Sequence, residues 1–304
     1  MTVTSGVPGG VPSVRAEAHR RQPDDRPRGG RPRRIAAAAV ALAVLLTGPA
    51  AAAPPDPLLA LRLDARAAVR EHPGMWTGAS VARGARAVVV GSPRPLVAGI
   101  AALADRGGRT VTRVWGGHSG AVVLVPRTEE QAAVLAAPAK VDGLAAVATG
   151  GRVIVQPAAF ARLSATGRLV VVTHELTHVA TTGPRAVPMW LMEGFADYVG
   201  YLDSGLPVRT VAAELAADVA AGRAALDGLP GPADFVARPA QAYEEAWLAC
   251  RYIAARFGER RLVALYRAAL REEIGAALRE VLGLTADGLT RGWRSYARER
   301  LARS

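Results

Sequence analysis

The chain contains almost no cysteine, and this shortage excludes several classes of site. Its 304 residues include a single cysteine, Cys250. One thiol cannot form an internal disulfide framework, and no Cys-x-x-Cys pair is present for a thiolate zinc site or a redox motif. Since no cysteine follows the apolar run near the amino terminus, a lipoprotein anchor is excluded as well.

Aromatic residues and lysine are also scarce. Aromatic residues make up 5% of the chain and hydrophobic residues 50%, so aliphatic side chains must fill the core. The formal net charge is +12, and Lys140 is the only lysine. Outside the amino-terminal region the sequence has no clustered basic stripe with interleaved aromatic residues and no known nucleic-acid-reading motif. We therefore expect no nucleic-acid partner.

The amino-terminal region has the pattern of an exported protein. Residues 1–34 hold eight arginines against three acids, are rich in proline and glycine, and predict a disordered basic leader. Residues 35–53 carry no charge and read as a signal-peptide hydrophobic core and cleavage region, interrupted by Gly48-Pro49. The alternative is a membrane anchor, for which the run is barely long enough. We expect a secreted or extracytoplasmic protein, whose only membrane contact would be this segment if it is left uncleaved.

Hydrophobic periodicity divides the exported part of the chain into a short segment and a larger domain. Residues 54–86 predict a helical or linker segment, and residues 87–304 a single α+β domain. Short β-branched runs at 87–90 and 121–125, with a hairpin of 144–148 and 153–156, predict a small sheet. We expect a helix over 95–104 that ends before Gly107-Gly108. From residue 164 onward the pattern is almost entirely helical, with helices expected at 165–181, 189–203, 208–225, 240–257, 259–271, 273–282 and 286–302.

The motif His174-Glu175-Leu176-Thr177-His178 carries the strongest chemical signal. Four residues along a helix advance about 6 Å and return to within about 40° of the same face. Both imidazoles can therefore point at one zinc ion, while Glu175 can reach a metal-activated water as general base without binding the metal. The alternative is a buried helix whose two histidines are satisfied by ordinary hydrogen bonds.

A catalytic zinc needs a third protein ligand, and the next helical segment offers two carboxylates. Glu193 and Asp197 stand four residues apart in the otherwise apolar stretch 188–198. Burying two carboxylates without partners is unfavourable. One of them can bind the metal, and the other can accept the free N–H of a ligand imidazole. The alternative is an acidic pair that faces solvent.

These two motifs together resemble those of the gluzincin zinc metallopeptidases. The run His174 to His178, followed by Trp190-Leu191-x-Glu193-Gly194-x-Ala196-Asp197-Tyr198, is most similar to the bacterial peptidase MA-like group, a broad relative of thermolysin. The similarity covers the chain from about residue 87 to its carboxy terminus. Fourteen residues separate the last motif histidine from the glutamate, which is shorter than in thermolysin and fits this group.

The resemblance implies a role for each motif residue. One zinc ion per chain would be held by His174, His178 and Glu193. Glu175 would act as the general base, and Asp197 would support His174 by accepting its outer N–H. These are the roles that the corresponding positions have in gluzincins.

The resemblance also implies a zincin-like fold and a mode of substrate binding. A small mixed sheet would lie over the motif helix, with an edge strand beside the cleft, and a mostly helical carboxy-terminal half would follow. Residues 153–156 are the predicted edge strand. An extended peptide or protein substrate would pair with that strand through backbone hydrogen bonds.

Peptide hydrolysis also needs a donor for the developing oxyanion. Tyr243 opens a helix in the half that should close the cleft, and we predict it as the catalytic donor. Tyr201 is an alternative donor, and an ordinary amphipathic-helix tyrosine is an equally open interpretation of Tyr243.

The sequence therefore supports three functional hypotheses. The first is an exported zinc-dependent peptidase of gluzincin type. The second is a catalytically inactive zinc-binding module that mediates interactions at the cell envelope. The third is a membrane-tethered structural protein in which the motif is accidental.

Overall fold

The computed structural model of the protein describes residues 58–117, 119–139, 141, 143–223 and 226–302. All of these belong to one of the two units into which the chain divides. The predicted leader and signal region lie outside the described residues. Within the described part of the chain, no helix is both long and apolar enough to cross a membrane.

The described residues form five strands and thirteen helices, with a short 3-10 turn at Pro73–Trp76. The strands are β1 (Ser80–Arg83), β2 (Ala87–Gly91), β3 (Ala121–Val125), β4 (Ala146–Thr149) and β5 (Arg152–Val155). The first five helices are α1 (Leu59–Glu71), α2 (Arg94–Trp115), α3 (Glu129–Ala136), α4 (Pro157–Arg162) and α5 (Ala165–Thr181). The remaining helices are α6 (Met189–Tyr201), α7 (Val208–Val211), α8 (Ala213–Ala220), α9 (Pro232–Ala237), α10 (Pro239–Phe257), α11 (Glu259–Ala269), α12 (Ile274–Leu282) and α13 (Ala286–Ala302). This order confirms the predicted α+β class, with a small mixed sheet followed by a mostly helical half.

The strands form one sheet in the order β1-β2-β3-β5-β4. The β2, β3 and β5 strands are parallel to their neighbours within this trio, while β1 and β4 are antiparallel strands at the two edges. The prediction that residues 153–156 form the edge strand is wrong, because β5 pairs with β3 on one side and β4 on the other. The edge beside the helical half is β4, the other arm of the predicted hairpin.

Both faces of the sheet are covered, which explains why β2 and β3 are apolar at every position. On one face, Val89 and Val123 join the larger core, which extends into the helical half. On the other face, Val88 and Val122 join a smaller core beneath α1 and α3. The segment 58–86, which the sequence pattern sets apart from the domain, thus packs onto the sheet through α1 and supplies its edge strand β1.

Helix α2 is longer than predicted. It continues through Gly107-Gly108 to Trp115, whereas the sequence predicted a helix that ends before the glycine pair. Both glycines are buried, and a Cβ at Gly107 would stand 3.2 Å from the Cα of Thr173 in α5. The glycine pair therefore allows α2 to approach α5 closely and does not end the helix.

The helical half agrees with most of the predicted spans, but the short helix α9 was not predicted and one predicted helix is divided. The predicted helix at 208–225 is two short helices, α7 and α8, separated at Ala212. The buried carboxylate of Glu244 in α10 accepts hydrogen bonds from the backbone N–H groups of Glu214 and Leu215. A carboxylate from another helix thus satisfies the first N–H groups of α8, which lets a new helix begin there.

Candidate metal centre

The motif helix α5 is fixed at its start and buried along most of its length. The Ser164 hydroxyl accepts a hydrogen bond from the Gly167 N–H at 3.1 Å and caps the helix. The residues from Leu169 to Thr177 are all buried. Helix α2 lies against α5 at Gly107, and α6 approaches it at Gly200, where a Cβ would lie 3.2 Å from the Val170 carbonyl oxygen. The motif is therefore held in a packed interior.

The two motif histidines converge as the helical spacing predicts. The Nε2 atoms of His174 and His178 lie 2.9 Å apart, and the rings meet nearly edge to face. The His174 side chain is 4% exposed and that of His178 is 13% exposed. The His174 ring is thus enclosed, whereas the His178 ring is more accessible to solvent.

Glu193 brings the third ligand atom to the same point from helix α6. Its Oε2 atom lies 3.4 Å from the Nε2 atom of His174 and 3.4 Å from that of His178. Among the described residues, this buried oxygen makes no hydrogen bond. The three side chains form a group whose ligand atoms lie within 4.8 Å of one another.

Asp197 orients the first histidine. Its Oδ1 atom lies 2.8 Å from the Nδ1 atom of His174. Since a carboxylate can only accept, Nδ1 carries the proton and donates it to this bond. The lone pair of the neutral ring is then on Nε2, directed at His178 and Glu193, which is the tautomer that a metal ligand requires.

Glu175 points into the same enclosed space without joining the ligand group. It is 1% exposed, and its Oε2 atom makes no hydrogen bond among the described residues. Burial raises the pKa of its carboxyl, and His174 and His178 only partly oppose the rise. The backbone N–H of Ala148 in β4 donates a hydrogen bond to the carboxylate. The motif glutamate thus lies between the ligand group and the edge strand.

The electrostatics of the site favour the protonated form of His174 and the anionic form of Glu193. Burial lowers the pKa of His174, but the Asp197 and Glu193 carboxylates outweigh it and hold the pKa well above its usual value. Burial also opposes ionisation of Glu193, yet His178 and His174 lower the pKa of this carboxyl to about 2. Glu193 is therefore an anion at neutral pH, the form in which a carboxylate binds a metal.

Tyr243 faces this group from helix α10. It is 5% exposed, and its ring packs edge to face on Phe235 at 4.8 Å between centroids. Burial raises the pKa of the phenol, and the carboxylates of Glu193, Asp197 and Glu175 raise it further. The hydroxyl thus keeps its proton beside the three carboxylates and remains a hydrogen-bond donor.

The alternative donor, Tyr201, lies in different surroundings. Its ring packs on Trp247 at 5.8 Å between centroids. Burial raises the pKa of its phenol, and the carboxylates that add to the rise are Asp197, Glu244 and Glu214. Glu175 and Glu193, which raise the pKa of Tyr243, do not add to this rise.

The ligand group suits a zinc ion in its donor atoms, its burial and two of its three spacings, while the two Nε2 atoms, 2.9 Å apart, would have to separate slightly around the ion. Two imidazole nitrogens and one carboxylate oxygen are ligands that zinc prefers. Ligands at about 2.0–2.1 Å from a tetrahedral ion stand about 3.3 to 3.4 Å apart, and both imidazoles lie 3.4 Å from Glu193. The buried Oε2 atom of Glu193 has the two imidazoles at 3.4 Å as its polar neighbours, and a cation between the three side chains would satisfy this anion more closely.

Comparisons with known proteins do not assign this site. No protein-family model matches the chain, and no curated protein matches it. The resemblance to gluzincins therefore stays a prediction from the two motifs, and the chemistry of the site is argued from its own residues.

One participant in the site was not predicted from the sequence. Ala148 contacts Glu175 through its backbone N–H, and a backbone contact leaves no side-chain signal in a sequence. The hairpin pattern indicated two neighbouring strands but not which of them is the edge. Only the parallel pairing of β5 with β3 places β4 outermost, beside the motif.

Proposed function

We propose that the chain is an exported zinc-dependent peptidase of gluzincin type, with one zinc ion held by His174, His178 and Glu193. The observation that carries this proposal is the convergence of these three ligand atoms, with the buried side chain of Glu175 beside them. Export is supported by the basic leader and apolar run of the sequence. When bound, zinc would supply a Lewis acid that polarises the scissile carbonyl and lowers the pKa of a water.

Glu175 would take the proton from the attacking water. Its carboxylate has one oxygen without a partner among the described residues, and it lies beside the ligand group without belonging to it. Its raised pKa makes it a stronger base than an exposed glutamate. The same group would then give the proton to the leaving amine, as a general base does when it reverses its role.

Tyr243 would donate a hydrogen bond to the oxygen on which negative charge develops. The side chain is fixed by burial and by its contact with Phe235, so little reorganisation is needed. Asp197 would hold the His174 ring in its orientation throughout. The hydrogen bond to Asp197 keeps the proton of that ring on its Nδ1 atom.

The edge strand β4 would bind the substrate backbone. The Gln156 N–H donates to the Ala145 carbonyl, so alternate residues of this strand face β5. Ala146 and Ala148 then present their backbone groups to the open edge, and the Ala148 N–H reaches Glu175. An extended peptide added to this edge would lie next to the general base, which favours a peptide or protein substrate.

The first prediction tests Glu175. Glu175→Gln keeps the size of the side chain but cannot accept a proton, so we expect zinc content and fold to be retained. Loss of a general base costs about 10²–10⁴ in rate. Digestion of a peptide library by the zinc-loaded protein, followed by mass spectrometry, measures the effect.

The controls separate metal binding from catalysis. His178→Ala should lose the zinc as well as the activity, whereas Glu175→Gln should lose only the activity. Wild-type turnover by Glu175→Gln would contradict the assignment of the base. Stoichiometric zinc with no cleavage by the wild type would favour the inactive zinc-binding module, and absence of zinc would favour an accidental motif.

A further inference from the structure

The outer face of helix α1 carries a stripe of apolar and basic side chains. Leu59 and Leu63 are 51% and 55% exposed, although both are large apolar residues. Arg66 and Arg70 are exposed as well. On a helix these four positions fall within an arc of about 60°, so they form one continuous stripe along α1. The leucines occupy its amino-terminal half and the arginines its carboxy-terminal half.

The stripe points away from the interior of the protein. Ala65 and Ala68 are the buried residues of α1, and Leu61 and Val69 pack against the same small core on the sheet. This buried face lies roughly 150° around the helix axis from the stripe. The side chains of the stripe therefore face outward, where they can contact a partner.

The negative charges of α1 lie on a different side of the helix and are already paired. Asp64 and Glu71 are the two acids of α1, and both fall roughly 110–130° from the middle of the stripe. The Arg152 guanidinium of β5 donates to Asp64 at 2.6 Å and to Glu71 at 2.9 Å. The stripe thus presents positive charge only, which favours a partner of negative charge.

The position of α1 in the chain indicates what this partner is. Helix α1 begins at Leu59, and only residues 54–58 separate it from the apolar run of residues 35–53. The chain from residue 53 to residue 59 spans at most about 20–22 Å. A bilayer that holds the apolar run lies within that reach of the leucines, which form the nearer end of the stripe.

A lipid surface of negative charge matches both halves of the stripe. Leucine side chains enter the boundary between lipid headgroups and acyl chains. Arginine pairs with a phosphate group through two hydrogen bonds at once, and each basic residue at an anionic membrane strengthens binding by about fivefold. A soluble polyanion would use the arginines but leave the leucines in water, so a bilayer fits the whole stripe better.

We propose that helix α1 docks on an anionic lipid bilayer through Leu59, Leu63, Arg66 and Arg70. Helix α1 and the motif helix α5 pack on opposite faces of the sheet. The contact would therefore hold the candidate metal centre on the side of the sheet that faces away from the membrane. The docking does not depend on zinc.

Quenching of a fluorescent label by lipid tests the proposal on the full chain. Since Cys250 is the only cysteine and is buried, a thiol-reactive NBD label attaches selectively to Leu63→Cys. The labelled chain is added to vesicles of phosphatidylglycerol and phosphatidylcholine that contain a nitroxide lipid. We expect the emission to shift to the blue and to be quenched. Val236→Cys, a 66% exposed position on α9, is the control and should show neither change.

A double variant separates docking from simple tethering by the apolar run. Arg66→Gln with Arg70→Gln leaves that run in place, so quenching caused only by a nearby membrane would persist. We expect the docking equilibrium to weaken by about 25-fold, since each arginine contributes about fivefold. Quenching at Leu63→Cys should then fall toward that of the control. Vesicles of phosphatidylcholine alone should also reduce it, and neither zinc nor a chelator should change it.

The pattern of quenching decides between the possible occupants. Equal quenching at the two labelled positions would overturn the proposal, as would quenching that the arginine substitutions and the neutral lipid leave unchanged. A blue shift at Leu63→Cys without vesicles would show that another segment of the chain or a second copy covers the stripe, and would overturn it too. Quenching that needs both the anionic lipid and the two arginines would support docking.

Discussion

At the scale of single residues, the orientation of His174 depends on one hydrogen bond. The bond from its Nδ1 atom to Asp197 is 2.8 Å long and buried. It selects the tautomer whose Nε2 atom faces Glu193 and His178. The histidine therefore meets a metal without having to reorient, which lowers the entropic cost of binding.

The second prediction concerns Asp197. Loss of a hydrogen-bond partner behind a metal ligand costs about 10–100-fold in metal affinity or activity. Asp197→Asn can still accept the N–H through its carbonyl, so it should bind zinc more tightly than Asp197→Ala. Both should bind it more tightly than Glu193→Ala, which removes a ligand. Competitive titration with a chelator gives the ranking, and wild-type affinity in Asp197→Ala would contradict it.

The third prediction compares the two buried tyrosines. Tyr243 lies beside Glu193 and Glu175, whereas Tyr201 does not. Removal of one oxyanion donor costs about 10²–10³ in kcat. We therefore expect Tyr243→Phe to lower kcat by about that factor with little change in KM, and Tyr201→Phe to stay near the wild type. Steady-state kinetics on one cleaved peptide measure kcat and KM of both variants. A larger loss of kcat in Tyr201→Phe than in Tyr243→Phe would contradict the assignment of Tyr243 as the donor.

At the scale of secondary-structure elements, glycines set how closely the helices of the site approach. Gly194 lies in α6 next to the ligand Glu193, and a Cβ there would meet the Ala246 carbonyl oxygen of α10 well inside van der Waals distance. The close approach of these helices places Tyr243 beside the ligand group. The packing of α6 on α10 is thus part of the geometry of the site.

The fourth prediction tests this packing with two helical glycines. Gly194→Ala should destabilise the protein by about 1–3 kcal/mol, the usual cost of overpacking, and should weaken zinc binding. Gly99→Ala in α2 is the matched control, because a Cβ there meets nothing within 4 Å. It should be neutral or stabilise by up to about 1 kcal/mol, since alanine favours a helix. Urea unfolding of the two variants measures both effects, and equal midpoints would contradict the role of Gly194.

The elements that the sequence predicts best are those whose limits are set locally. Helix α5 begins and ends as predicted, because Ser164 caps its start and Gly183-Pro184 follows its end. The two histidines then meet by helical spacing alone. The predictions for the end of helix α2 and for the edge strand were wrong, because both features depend on partners distant in sequence. Helix α2 continues where Gly107 meets Thr173 of α5, and β5 is an inner strand because it pairs with β3. Local patterns do not carry that information.

At the scale of the whole molecule, the ligand group joins two helices of the larger core. His174 and His178 come from α5 and Glu193 from α6, and α6 packs in turn on α10. A metal bound there would connect the helix that lies under the sheet with the carboxy-terminal helices. The unfolded chain has no such preformed group, so binding free energy would add to folding free energy.

The fifth prediction follows from this linkage. A ligand that binds only the folded state stabilises it by about 2.7 kcal/mol at a free concentration of 100 times its Kd. The urea midpoint of the wild type should therefore be higher with zinc than with a chelator. Because protons compete for His174, whose pKa is raised, the difference should shrink as the pH falls through that raised value. His178→Ala should unfold at the same midpoint with zinc and with chelator. A zinc-dependent midpoint in that variant would place the stabilising metal at other residues, and a zinc-independent midpoint in the wild type would contradict the linkage.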